Sequence, residues 1–208
     1  MKVLVIGAGN MGSGFVKQLS AAGHQVSVTA RDAAKAQAVA QQYGANAVSS
    51  AGAADGVDAI VVATPYEQAI EALRSVGKVD GKPVIDITNP LTADYMGLTI
   101  GHSTSAAEQI AQAVPGAEVV KGFNTVFAQV LAEGSNLNGQ KVTVFVASDS
   151  ERAKQTARAL AESMGFDVID AGGLKNARYL EPVAGLNIYF GYGAGLGTSI
   201  APTWIRKN

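Results

Sequence analysis

Tight apolar runs alternate along the chain with longer stretches in which apolar positions recur every three or four residues. The runs Val3–Ile6, Gln25–Thr29, Ala47–Val48, Ala59–Ala63, Val84–Ile87, Glu118–Val120, Val142–Ala147 and Asp167–Ile169 have the length and the β-branched content of strands. Between them, Met11, Phe15, Val16 and Leu19 fall on one helical stripe, and Ala153, Ala157, Leu160 and Met164 on another. Gly23, Gly44 and Gly165 stand where helices stop, because glycine accepts the left-handed backbone that ends a helix. Ser105-Ala-Ala-Glu108 reads as a capping box opening a helix that ends before Pro115. Strand and helix in alternation, joined by right-handed crossovers, predict an α/β fold of the Rossmann type. Its sheet is doubly wound and mostly parallel, followed by a short α/β extension and a C-terminal helix.

Composition narrows the class. Apolar residues make up 48% of the 208 residues and charged residues 16%, which describes a full core under a thinly charged surface. With a formal net charge of −1 and both signs interspersed, there is no basic field for nucleic acid or a membrane surface. Without cysteine, disulfides and thiolate metal sites are excluded, and a reducing cytoplasm is the expected compartment. The N-terminus is already a strand and does not read as a leader. From Pro182 to Ile205 no residue is charged, a length that could span a bilayer, but five glycines and Pro202 interrupt it. This segment is expected to be a buried helix or a contact between subunits of a homodimer, followed by coil.

The first strand runs into Gly7-Ala-Gly-Asn-Met-Gly12. In a sheet of this kind a dinucleotide lies where the first strand turns into the first helix. Gly7 then permits the tight turn, Gly9 lets a pyrophosphate approach the backbone, and Gly12 lets helix and strand pack closely. Asn10 and Met11 open the helix, whose free N–H groups favour phosphate. Residues 1–147 are therefore assigned as a dinucleotide-binding unit and 148–208 as the extension, with no linker marking the boundary. The second strand ends Thr29-Ala30-Arg31-Asp32, with Lys35 one helical turn on. A guanidinium here matches the 2′-phosphate of NADP. The alternative makes Arg31 a surface charge and lets Asp32 hold an NAD ribose, or simply cap the next helix.

Across the sheet, the next strand ends read Ala63-Thr64-Pro65-Tyr66 and Thr88-Asn89-Pro90. A proline after a buried strand ends it and frees the preceding backbone to face the cleft. Thr64 and Asn89 are expected at the nicotinamide, with Tyr66 as an aromatic wall. Lys121-Gly122-Phe123-Asn124-Thr125 has the same character, and Phe123, Asn124 and Thr125 are expected near the cofactor and the acceptor. His24 reads as support for a turn, and His102 as a loop residue. No catalytic triad, carboxylate pair or metal cluster is visible. Hydride transfer, which depends on orientation more than on acid–base chemistry, needs none.

GAGNMG with an arginine at the second strand tip, ATPYEQAI, DITNPL, KGFNTVFA and DAGGLKNARYLEP together resemble the NADP oxidoreductases dependent on the deazaflavin coenzyme F420, over nearly the whole chain. KGFN with the same ending also resembles the cytosolic reductase domain of the six-transmembrane ferric and cupric reductases, without their membrane half. GAGNMG resembles pyrroline-5-carboxylate reductases too, though their long helical dimerisation domain has no counterpart here. The first two resemblances imply NADPH as donor and a planar tricyclic ring, F420 or a flavin, as the small-molecule acceptor. Three positions depart from the deazaflavin family. Asn124 stands in place of a histidine, Phe127 in place of a proline, and Ala30 where a serine precedes the arginine. The expected function is an NADPH-dependent oxidoreductase. The alternatives are a non-catalytic NADPH sensor and an imine or carbonyl reductase.

Overall fold

Six parallel strands form the centre of the molecule: β1 (Lys2–Ile6), β2 (Gln25–Thr29), β3 (Asn46–Ala47), β4 (Ala59–Val62), β5 (Pro83–Asp86) and β6 (Glu118–Lys121), in the order β3-β2-β1-β4-β5-β6. The computed structural model describes residues 1–205 and 207. Helices α1 (Asn10–Ala21), α2 (Ala33–Tyr43), α3 (Tyr66–Ser75), α4 (Ala106–Ala113) and the short α5 (Ala128–Glu133) connect or follow these strands. Successive side chains of a strand point to opposite faces, and both faces of this sheet are covered. Val3 and Val5 pack into a core with Phe15, Val16 and Leu19, while Leu4 and Ile6 pack into another with Ala69, Leu73 and Ile110. That double burial is why the strands read as continuous apolar runs.

Beyond α5 lies a small hairpin, β7 (Asn136–Leu137) and β8 (Gln140–Lys141). The pattern analysis missed it because each strand is only two residues long. Its turn does carry a signal, Asn138-Gly139, both left-handed at φ 52° and 85°. Next come β9 (Thr143–Val146), α6 (Glu151–Ser163) and β10 (Asp167–Asp170), a parallel pair with its crossover helix. An antiparallel bridge joins this pair to the edge of the main sheet. Lys121 N donates to Ala147 O at 2.9 Å, and Ala147 N to Lys121 O at 3.0 Å. The expectation of a mostly parallel Rossmann-type sheet thus holds, with predicted strand ends shifted by one residue in most cases.

The C-terminal helix α7 (Ala177–Ile188) passes through a single π turn, Tyr189–Gly193, into coil. One face, with Leu180, Glu181, Ala184 and Asn187, is buried. The other is not, which corrects the buried-helix alternative. Tyr179, Leu186, Tyr189 and Phe190 are between 40% and 72% exposed. Arg178 clamps α7 to α4 by a two-pronged pair, its Nε and Nη2 donating to Glu108 at 2.9 and 2.7 Å. Those hydrogen bonds, with a smaller one from Ser105, hold the Glu108 carboxyl below the usual range despite its partial burial.

Candidate functional site

The glycine loop is shaped by close backbone approach. Gly7 lies at φ +118°, and a Cβ there would stand 2.3 Å from Ala63 O. Gly7 N donates to Thr29 O and Ala63 N to Ile6 O, both at 2.8 Å, so Thr29 and Ala63 hold the turn through their backbones. A Cβ on Gly12 would sit 1.9 Å from Gly7 O. Gly12 therefore lets helix α1 close on the loop itself, with Ala63 Cβ next at 3.6 Å. Gly9 is different, since a Cβ there would meet nothing within 4 Å. The open side of the loop is at Gly9, where a phosphate needs room. Gly9 is also the N-cap of α1, with no side-chain cap, and the first turn carries no acid. The helix end thus offers N–H groups and a positive dipole without internal competition. These residues fit a pyrophosphate.

A contrast between two alanines follows. Gly12→Ala should destabilise the fold, because backbone must move to admit the methyl. Gly9→Ala should leave the melting temperature within about 2 °C, a change of under roughly 0.5 kcal/mol for a chain of this length, yet abolish measurable NADPH binding. Thermal melts paired with NADPH titration check both.

At the tip of β2, Asp32 takes the capping role that the sequence offered as one of its alternatives. Its Oδ1 accepts from Ala34 N at 3.1 Å and Lys35 N at 3.2 Å, as the N-cap of α2. Arg31 and Lys35 are both exposed beside it.

At the other strand ends the expected residues divide. Thr64 Oγ1 is buried with no partner, and Pro65 is the N-cap of α3. Tyr66 turns away as the first residue of α3, its hydroxyl donating to Gln109 Oε1. Burial, then the Glu181 and Asp86 carboxylates, raise its pKa. It does not wall the cleft. Phe123 does line the cavity at the strand tips, but as a packed wall and not an open edge. Its ring is 1% exposed and makes edge contacts with Phe15 at 5.0 Å and Phe166 at 5.8 Å. Its backbone is left-handed, φ 61°, a costly conformation for an aromatic residue. His24 bridges the N-terminal amine, 3.1 Å from Nδ1, and Ser163 Oγ, 2.9 Å from Nε2, far from the cleft; burial and the nearby amine lower its pKa. His102 is exposed and is not among the residues lining the cavity at the strand tips.

A cavity of about 220 Å³ opens at the tips of β5 and β6, walled by Met11 of α1, Asn89, Asn124, Thr125, Phe127 and α7 residues including Asn187 and Ile188. Its floor is a lattice of amides. Asn89 Nδ2 donates to Asn124 O at 2.9 Å, and Asn124 Nδ2 donates to Asn89 Oδ1 and Leu180 O, both at 3.0 Å. Asn187 Nδ2 donates to Thr125 O at 3.1 Å. Tyr95 and Tyr192, 62% and 65% exposed, flank the mouth.

Behind this floor is a charged group that pattern analysis missed. Lys121 is fully buried, its Nζ 2.7 Å from Asp86 Oδ2 and 2.9 Å from Glu181 Oε1, and it donates to Thr88 O at 2.6 Å. Glu181 also caps α4, accepting from Ala106 N at 2.9 Å and Ala107 N at 3.2 Å. Burial disfavours the ammonium, but the two carboxylates outweigh it and hold the Lys121 pKa above the ordinary lysine value. The cluster ties β5, β6, α4 and α7 together beneath Asn89 and Asn124. Charged residues within apolar strand runs, Asp86 and Lys121, were its only trace in sequence.

The family model described as NADP oxidoreductase coenzyme F420-dependent matches residues 2–90. The F420-dependent NADP reductase of Methanothermobacter thermautotrophicus is 32% identical over 206 residues, covering 90% of this chain and 88% of that protein. The chain belongs to the F420-dependent NADP oxidoreductase family.

Its namesake from Methanothermobacter marburgensis is 31% identical, covering 90% of this chain and 91% of its own. A solved protein from Arthrobacter sp. FB24, provisionally assigned as an F420-dependent NADP reductase, superposes with a TM-score of 0.88 over 99% of this chain and 100% of that one, at 28% identity. Metalloreductase STEAP3 of Rattus norvegicus matches 88% of this chain but only 36% of its own length, at 27% identity. An imine reductase from Pseudomonas sp. shares the fold, with a TM-score of 0.68 at 21% identity, covering 93% of this chain and 63% of that one. Phe127 makes an edge contact with Tyr192 at 5.8 Å. A Cβ on Gly191 would stand 2.7 Å from the Phe127 ring, so the π turn is packed directly on that phenylalanine. Among the described residues no helix is long and apolar enough to cross a membrane, and no cluster of His, Asp and Glu could hold a metal.

Proposed function

We propose that this protein transfers hydride between NADP(H) and coenzyme F420 or a flavin of the same ring shape. The observation that carries this reading is the cavity at the β5 and β6 tips. It adjoins the glycine loop through Met11 and, among the described residues, is lined by neutral amides and apolar groups, with the exposed Tyr95 and Tyr192 its only titratable side chains. Such a site can hold planar rings in register and brings no carboxylate, histidine or lysine to the transfer point.

Gly7, Gly9, Asn10, Met11 and Gly12 take the pyrophosphate, Arg31 and Lys35 the 2′-phosphate, and Thr64, Pro65 and Asn89 the nicotinamide. Asn124 and Thr125 face the acceptor. In the direction of NADPH oxidation, the C4–H bond of the dihydronicotinamide breaks, its hydride bonds to the central ring of the acceptor, and a solvent proton completes the reduced ring. The test is NADPH oxidation against F420, riboflavin and simple imines. Direct transfer of deuterium from C4-labelled NADPH to F420 or riboflavin is expected. Turnover of imines alone would make the protein an imine reductase. Tight NADPH binding without turnover of any acceptor would make it a sensor.

The exposed apolar face of α7 and its π turn supports a homodimer. Tyr179, Leu186, Tyr189 and Phe190 form an uncharged surface suited to an isologous contact. Light scattering at micromolar concentration should give twice the chain mass, and Leu186→Lys should shift it to the monomer. A monomeric wild type would refute the assembly.

A further inference from the structure

Four buried side-chain oxygens at the strand tips have no hydrogen-bond partner among the described residues: Thr64 Oγ1, Thr88 Oγ1, Asn124 Oδ1 and Thr125 Oγ1. Buried polar atoms are nearly always paired, so orphans clustered at one end of a sheet mark where ligand atoms belong. Two of them, on consecutive residues, line the cavity. Asn124 is 6% and Thr125 2% exposed.

The chemistry of this pair is restricted. Both Nδ2 hydrogens of Asn124 are committed, to Asn89 Oδ1 and Leu180 O, each at 3.0 Å. The amide is thereby fixed in one orientation, and only Oδ1 remains, an acceptor with no donor. The neighbouring Thr125 hydroxyl can donate. Asn124 Oδ1 requires an N–H or O–H from the ligand, and an edge with a carbonyl oxygen beside that donor uses the Thr125 hydroxyl as a donor as well.

We propose that Asn124 and Thr125 read the cyclic imide edge of the hydride acceptor, the pyrimidinedione that deazaflavin and flavin share. Asn124 Oδ1 accepts from the ring N3–H, and the Thr125 hydroxyl donates to an adjacent ring carbonyl. The inference rests on the proposed function for the identity of the second ligand, and it names the atoms by which that ligand is chosen. The nicotinamide carboxamide presents similar chemistry, but position argues against it. Thr64 Oγ1 lies at the tip of β4, next to the glycine loop, with Thr64 N 3.4 Å from where a Gly7 Cβ would stand. Asn124 and Thr125 follow β6, two strands beyond β4 in the order β4-β5-β6, a lateral distance of roughly 10 Å. Thr64 is placed for the donor, and the pair for the molecule beyond it. A cavity of about 220 Å³ holds the pyrimidinedione end of a tricyclic ring, leaving the far ring between the exposed Tyr95 and Tyr192.

A methyl on N3 removes the donor and adds bulk against Asn124 without changing the rest of the ring. Binding of riboflavin and 3-methylriboflavin to protein saturated with NADP⁺, followed by flavin fluorescence, tests the assignment. Wild type should bind riboflavin about 10- to 100-fold more tightly, because the methylated ring leaves Oδ1 buried and unpaired. Thr125→Val should weaken riboflavin and Thr125→Ser restore it, with NADP⁺ affinity unchanged in both, and Asn124→Leu should abolish the preference. Equal affinities for the two flavins in wild type, or no riboflavin binding, overturns the proposal even if the variants fail to fold. Loss of NADP⁺ affinity in Thr125→Val with the flavin preference intact assigns the pair to the carboxamide and also overturns it. A preserved preference without turnover of riboflavin or F420 would refute the proposed function and leave this assignment standing.

Discussion

Replacing Lys121 with methionine is expected to destabilise the protein by about 3–5 kcal/mol, the cost of leaving buried charge without its partner. The methionine fills nearly the same volume, so the loss is electrostatic. Asp86 and Glu181 would face each other across the vacated position with side chains at most 2% exposed, and Thr88 O would lose its donor. For a chain of this length the melting temperature should fall by roughly 6–20 °C. Replacing all three charged residues with apolar ones of similar size should recover much of the loss, since a buried ion cluster is not itself strongly stabilising. The pH dependence has a definite sign. The folded-state pKa of Lys121 is raised, so its contribution is fully present below the ordinary lysine range and is lost only as pH rises through the raised value. Between neutrality and the ordinary lysine pKa the gap between wild type and Lys121→Met should therefore be flat on this account. Urea unfolding of both proteins across that range measures it, and a gap under about 1 kcal/mol would show that the cluster does not hold the fold together.

Arg31→Ala is expected to weaken NADPH by about 10- to 150-fold while changing NADH little. The estimate corresponds to roughly 1.5–3 kcal/mol for hydrogen bonds to a charged group, with the low end favoured because the site is open to solvent. The structural basis is as much Asp32 as Arg31. An acid at the second strand tip would repel a 2′-phosphate and hold a ribose hydroxyl. Asp32 Oδ1 is instead engaged by two backbone N–H groups of α2. Removing that cap should lower stability, by about 1 kcal/mol for Asp32→Ala, without converting the site to NADH. Isothermal titration with both cofactors decides the matter, and equal losses for both in Arg31→Ala would remove the arginine from the phosphate site.

Residues 1–147 and 148–208 are expected to unfold in one transition. Lys121 and Asn124 of the first segment hold Glu181 and Leu180 O of the second through buried contacts.

Local pattern alone determined most of the architecture. A strand buried on both faces must be apolar at every position, and a helix covering it must be apolar on one stripe, so β1, β2, β4 and α1 are legible within a dozen residues each. The glycine loop is legible from its spacing directly after β1, and the crowding at Gly12 is local, whereas the crowding at Gly7 comes from Ala63 O beyond the end of β4 and only the folded sheet supplies it. Asp32 shows the limit. Its sequence allowed a cap or a ribose ligand, and only the direction of its side chain chose. The Lys121 cluster and the single free oxygen of Asn124 were invisible because each is a relation between distant segments, and the run containing α7 allowed a buried helix or a subunit contact until its bare face chose between them. Glu181 caps a helix 75 residues before it, and Asn124 reaches a carbonyl 56 residues after it. Periodicity reports whether a position is covered, but not by what. The partner of a buried charge, and the orphaning of a buried oxygen, are set only when the sheet edge and the last helix come together.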